Sequence, residues 1–152
     1  MNKNASTGTL SVGKIMNGFV LDHIEAGKSM ELYRYLELDK LDCCVAIIKN
    51  VPSKLMGKKD IIKIEGSLEL VNLDIIGFID HNITVNIIKD GLICEKKELA
   101  LPNTITNVLK CKNPRCITSI EQELPHIFIL TDVENQVYRC KYCEEKYHKK
   151  QK

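Results

Sequence analysis

Tryptophan is absent from the 152 residues, phenylalanine occurs three times, and only Arg34, Arg115 and Arg139 of the 22 basic residues are arginines. Proteins that read nucleic acid lean on stacking aromatics and on arginine at base edges, and this chain is poor in both. The formal net charge of +2 supplies no general attraction to polyanions or membranes. No apolar run reaches the roughly 18 residues of a transmembrane helix. The N-terminus, MNKNASTGTLSVGK, lacks the charged and apolar regions of a secretory signal, so a reducing, cytoplasmic location is expected. There is no internal repeat and no low-complexity tract.

The chain does have seven cysteines, unevenly spread. Cys43, Cys44 and Cys94 lie in the long first part, while Cys111, Cys116, Cys140 and Cys143 form the pattern C-x4-C-x23-C-x2-C. Two close pairs on separate turns can converge on one tetrahedral Zn²⁺. Four thiolates leave no open coordination position, so the metal is structural rather than catalytic. Rubredoxin-type iron is chemically possible, but the longer first spacing fits a zinc ribbon better. A redox C-x-x-C at Cys140 would require a thioredoxin-like βαβ unit, which the pattern does not contain. Strand character at His126 to Leu130 and at Val137 to Arg139 completes a small zinc-held β domain over residues 101–152. Such a length needs a metal or disulfides to supplement its core.

Residues 1–100 read as a self-sufficient α+β domain, with 1–9 disordered. Strand character appears at Leu10 to Ile15 and at Phe19 to Leu21, broken at Asn17-Gly18. A helix is expected from Ser29 to Leu38, with Met30, Tyr33 and Leu36 on its inner face. Cys43 to Lys49 reads as a central strand covered on both faces, and Asn50 to Lys59 as a loop. From Asp60 to Glu65 the strand puts Ile62 and Ile64 inward, and Ile61, Lys63 and Glu65 outward. Ser67 caps a second helix to Asp80 with a stripe of Leu68, Val71, Ile75, Phe78 and Ile79. Two strands, Ile83 to Ile88 and Leu92 to Lys97, join at Asp90-Gly91. This order matches a ferredoxin-like sandwich: one antiparallel sheet, two helices on one face, the other face open.

Candidate sites follow from that open face. Ala26-Gly27-Lys28-Ser29 resembles the end of a P-loop, but Asp22 stands where its first glycine is required, so the reading fails. Asp22-His23 has no nucleophile placed beside it and alone reads as a solvated pair. His81 and His126 read as structural, and His148 as exposed in a frayed lysine-rich tail. Lys54, Lys58, Lys59 and Lys63 form either a solvated surface or an anion site, where Ile61 and Lys63 together suit a base and a phosphate.

The segments FVLDHI (Phe19 to Ile24), PSKLMGKKDIIKIE (Pro52 to Glu65), TVN (Thr84 to Asn86) and the cysteine tail ending CKYCE closely resemble the aspartate carbamoyltransferase regulatory chain. The similarity runs in order from about Leu10 to Tyr147. It implies a non-catalytic subunit. Its N-terminal domain would bind nucleoside triphosphates, CTP (often assisted by UTP) inhibiting and ATP activating. Its zinc domain would hold the catalytic chains, and regulatory chains would pair as dimers. Carried over residue by residue, the effector site takes Val12 and Ile15 beside the base, and Asp22 and His23 near ribose and phosphates. It also takes Lys59, Ile61 and Lys63, with Asn86, Ile88, Ile93 and Lys96. Asn113, Arg115 and Glu144 fall on the metal loops as candidate contacts to the catalytic chain. Gly91 replaces an aromatic familiar in the family, Arg115 a small polar residue, and Glu145 a lysine. A reading from another class, a zinc-ribbon nucleic-acid-binding protein, predicts salt-dependent DNA or RNA binding.

Overall fold

The computed structural model describes residues 13–147, and the chain divides into two compact units, 1–100 and 101–152. In the first unit the elements run β1 (Gly18–Glu25), α1 (Ser29–Tyr35), β2 (Val45–Ser53), β3 (Gly57–Ile64), α2 (Leu73–Ile79), β4 (Thr84–Lys89) and β5 (Leu92–Glu98). All pairings are antiparallel, in the order β2-β3-β1-β4-β5. This is the ferredoxin-like α+β sandwich, with β5 added at one edge.

Alternation along the strands makes the two faces different. Phe19, Leu21, Ile24, Ile62, Ile64 and Val85 are buried with Leu32, Leu36, Ile76, Phe78 and Ile79 from the helices. The residues between them, Val20, Asp22, Ile61 and Lys63, stay partly accessible on the opposite face. The ladder is interrupted at three places: in β1 between Leu21 and Ile24, in β2 between Ile48 and Val51, and in the β4–β5 pairing at Ile87/Ile88. The first two bulges each carry a non-glycine residue in the left-handed region, His23 at φ 61° and Asn50 at φ 60°. The β4–β5 turn, Asp90-Gly91, has both φ values positive, the geometry that suits a tight hairpin.

Several expectations need correction. The strand expected at Cys43 to Lys49 is not central: β2 is an edge strand, Cys44 is exposed, and Val45 to Ile48 are only half-buried. The expected loop after it is a hairpin, since β2 runs through Pro52, a residue that an edge strand tolerates. The expected helix from Ser67 to Asp80 is split. Ser67 caps a single 3-10 turn at Leu68–Leu70, Val71 is extended, and Asn72 caps α2 by accepting Asp74 N–H. The inner residue of α2 is therefore Ile76 rather than Ile75, and that of α1 is Leu32 rather than Met30. Helix α1 ends at Tyr35, with a separate 3-10 turn at Leu38–Lys40. Residues 13–15 are irregular rather than strand, and the expectations for Val12, residues 1–9 and His148 fall outside the described residues.

The second unit holds a three-stranded antiparallel sheet of β6 (Thr104–Thr106), β7 (Ile127–Asp132) and β8 (Val137–Cys140), with the short helix α3 (Ile117–Ile120). Its buried apolar residues are few: Ile105, Leu109, Phe128 and Tyr138, together with Cys116 and Cys140. The Tyr138 hydroxyl donates to the Pro102 carbonyl at 2.7 Å.

Candidate functional site

Four thiols meet in the second unit. Cys111 precedes one turn, Cys116 is the N-cap of α3, Cys140 ends β8 and Cys143 follows in the next turn. Their sulfur atoms all lie within 4.8 Å of one another, with Cys111–Cys143 at 3.6 Å and Cys116–Cys140 at 3.7 Å. A tetrahedron of thiolates ~2.3 Å from a central metal has edges of about 3.8 Å, so the four sulfurs match a single-ion site.

The loops behind the sulfurs are built to hold them. The Asn113 side chain accepts Arg115 N–H at 3.0 Å, and the Asn113 carbonyl accepts Cys116 N–H at 3.0 Å and the Ser119 hydroxyl at 2.8 Å. Glu144 sits at φ 62°, with its N–H donating to the Cys140 carbonyl at 2.8 Å. Burial pushes Cys111 up to about 12 and raises Cys140 as well. Burial opposes the thiolate at Cys116 too, but the Thr118 hydroxyl, 3.1 Å from the sulfur, and the Thr118 N–H outweigh it and bring Cys116 down to about 7. Two residues support the ligand loops. One is Thr118, which escaped the sequence reading; the other is His126, read there as structural, whose Nδ1 accepts Cys111 N–H at 3.2 Å. No spacing rule marks either residue.

Asn113 and Arg115 line a surface groove with Arg139, Cys143, Glu145 and Lys146. Glu144 lies beside it, its carbonyl accepting from Arg139 Nη1 at 3.1 Å.

The second set of candidates gathers on the open face of the first unit. Register places Ala46, Lys63, Val20, Asn86 and Lys96 in one row across all five strands. A neighbouring row runs from Ile93 through Ile88 to Gly18. At the β1 bulge, Asp22 meets Lys59 Nζ at 2.9 Å, and its carboxylate also accepts His23 N–H at 2.6 Å. Burial works against the Asp22 charge, but Lys59 and the His23 N–H prevail and hold its pKa below the usual carboxylate value. The His23 ring lies 3.2 Å from the Thr84 hydroxyl, a contact the sequence alone does not indicate. Ile61 stands opposite Ile48, two residues from Lys59 and from Lys63 along β3, with the buried Asp60 and Ile62 between them.

Asn86 is 8% exposed, and its Oδ1 is a buried acceptor with no hydrogen-bond partner among the described residues. Native interiors seldom leave such an atom unmatched. Ile15 is half-buried, Ile93 and Lys96 are exposed, and Val12 falls outside the described residues. Cys43, Cys44 and Cys94 take no part in either cluster: Cys44 and Cys94 are exposed and Cys43 is half-buried. Among the described residues no helix is long and apolar enough to cross a membrane.

Comparison with known proteins brings the two halves together. The family model for the allosteric domain of the aspartate carbamoyltransferase regulatory chain matches residues 10–100, and that for its metal binding domain matches 103–152. A regulatory chain from Clostridium botulinum is 52% identical over 138 residues, covering 91% of this chain and 94% of the relative. The one from Clostridium acetobutylicum is 48% identical over 138 residues, with the same coverage of 91% and 94%. The one from Bifidobacterium longum is 41% identical over 136 residues, covering 90% and 97%. An open face with clustered cations in one unit and a four-thiol metal centre in the other are thus an allosteric and a metal-binding domain, and the chain belongs to the family of aspartate carbamoyltransferase regulatory chains, non-catalytic subunits.

Proposed function

We propose that this chain controls an aspartate carbamoyltransferase catalytic chain by binding nucleoside triphosphates on the open face of its first unit. ATP and CTP are the effectors, with UTP assisting CTP. The observation that carries the reading is the row Lys63–Val20–Asn86–Lys96. It sets two cations on either side of an apolar patch and an unpartnered buried amide oxygen. Lysines suit a flexible polyphosphate as compact charges, Ile61, Ile88 and Ile93 offer apolar surface to a base, and Asn86 Oδ1 can accept from a ligand donor. Asp22 and His23 border the sugar and phosphates, while Ile15 stands beside the base.

The metal in the second unit is Zn²⁺, held by Cys111, Cys116, Cys140 and Cys143. It supplies a structural cross-link and no chemistry of its own. The chain's residues do the rest: His126 and Thr118 fix the ligand loops, and Asn113, Arg115 and Glu144 present the loops to the catalytic chain. Regulatory chains pair as dimers, and the assembly works in the cytoplasm. A nucleotide can bias the catalytic chains only by its differential affinity for their two states, typically ~1–3 kcal/mol.

Two measurements test this. Calorimetry with Lys59→Ala and Lys63→Ala chains is expected to show ATP and CTP weakened alike, because both variants remove charge that meets phosphate rather than base. Unchanged affinity for both nucleotides would place the site elsewhere. Copurification with a catalytic chain is expected to require zinc, and an assembly that survives chelation refutes the role given to the metal.

A further inference from the structure

Asp60 is a fully buried carboxylate that neither cluster uses. It lies on β3 between Lys59 and Ile61, but its side chain points to the helix side of the sheet. There it collects donors from three segments. Oδ2 accepts the Ser29 hydroxyl at 2.6 Å and Gly27 N–H at 3.1 Å, and Oδ1 accepts Asn50 N–H at 2.9 Å. Ser29 N–H adds to them.

These segments are the ones that shape the open face. Gly27 opens the turn that ends β1, and Asn50 is the left-handed residue of the β2 bulge, which stands opposite Asp60 in the register. The β1 bulge, with left-handed His23, stands opposite Ile61 next to it. A non-glycine residue at positive φ costs roughly 1–2 kcal/mol and must be held by its surroundings. Both bulges therefore flank one β3 pair, and Asp60 ties down the strand end on one side and the bulge on the other. Lys59 and Ile61 leave the opposite face from the same two peptide units, and Lys59 meets Asp22 across the β1 bulge.

We propose that Asp60 is a positioning residue for the nucleotide face. From behind the sheet it sets the spacing of Lys59, Ile61 and the Asp22-His23 bulge, without touching the ligand. The inference rests on the nucleotide reading of that face. Asp60→Asn keeps the size of the side chain but puts an NH2 where an oxygen now accepts. The Ser29 hydroxyl can turn to accept from it, but a backbone N–H cannot, so either Gly27 or Asn50 loses its partner.

The test uses the full zinc-loaded chain with ATP as the probe, well below the melting temperature of each variant. Asp60→Asn is expected to bind ATP about tenfold more weakly, the size of loss typical when groups behind a ligand set are removed. It is also expected to shift the NMR signals of the His23 ring and of the Lys59 ammonium in the ligand-free chain, which a merely destabilised but unmoved site would not do. Ser29→Ala removes one donor and keeps the carboxylate, so a smaller loss in the same direction is expected, and it stands in if Asp60→Asn does not fold. Unchanged ATP affinity with unmoved His23 and Lys59 signals overturns the proposal. If the wild-type chain binds no ATP, the nucleotide reading fails by itself. The two NMR signals then still decide the positioning role: shifts support it and their absence overturns it.

Discussion

Removing the metal is expected to unfold residues 101–152 and leave the first unit intact. The magnitude follows from how little else holds the second unit together. Its large buried apolar side chains are Ile105, Leu109, Phe128 and Tyr138. At ~1.5–3 kcal/mol each, they supply only about 6–12 kcal/mol toward ordering some fifty residues. A structural four-thiolate zinc contributes an apparent ~10–16 kcal/mol at neutral pH, comparable to or larger than the entire apolar core. Because the four ligands join the loop before α3 to the end of β8 and the turn after it, losing the ion releases both segments at once. The assay is a two-dimensional amide NMR spectrum recorded during titration with a chelator, with a chromogenic dye following the released metal. Signals of the second unit should collapse to unfolded positions in step with zinc release, while those of Phe19, Leu21 and Ile62 stay dispersed. If the second unit kept its dispersion after the dye had accounted for one zinc per chain, the metal would be an accessory rather than the fold's closure.

Gly18→Ala should destabilise the first unit by at least ~2 kcal/mol in a denaturant melt, since its Cβ would overlap the Ile64 carbonyl oxygen and lie 2.9 Å from Glu65 Cα, both backbone atoms. Asn86→Val should leave the first unit as stable as before or up to about 1 kcal/mol more stable, because it removes an unmatched buried acceptor, while ATP binding measured by calorimetry falls. Acid should weaken the first unit. Asp22 and Asp60 both have pKa values below the ordinary carboxylate value, so their stabilisation is complete above that value and fades as pH falls through the lower folded values. Thermal melts read on first-unit signals should therefore drop below about pH 4, less steeply in Asp60→Asn, and an equal slope in that variant would contradict the assignment.

The cysteine cluster and the α+β class were legible because both rest on spaced or periodic features: the C-x4-C and C-x2-C pairs, and the alternation that turns Ile62 and Ile64 inward and Lys63 outward. What escaped depends on contacts distant in sequence. An apolar run such as Cys43 to Lys49 looks the same in a central strand and an edge strand, and only the pairing of β2 with β3 alone decides between them. The break at Val71 was hidden because its neighbours keep a helical spacing of apolar residues. Asn72 nevertheless competes by capping α2, and the inner face shifts to Ile76. Lys59 was flagged as a cation, but its partner Asp22 meets it only because a bulge turns two β1 residues against one of β3. Asp60 read as one more strand residue, since a buried carboxylate becomes recognisable only with its donors in view.

The strand order also sets a timetable for synthesis. β1 is the middle strand, yet both of its neighbours come later in the chain, β3 next and β4 last. Between Glu25, the end of β1, and Lys89, the end of β4, the ribosome adds 64 residues. At about 5–20 residues per second, that takes roughly 3–13 s. For that interval the apolar stretch Phe19 to Leu21 has one flank without a strand to pair with. The first unit thus completes its sheet well after its central strand is made, and early shielding of that strand's apolar residues follows from the topology.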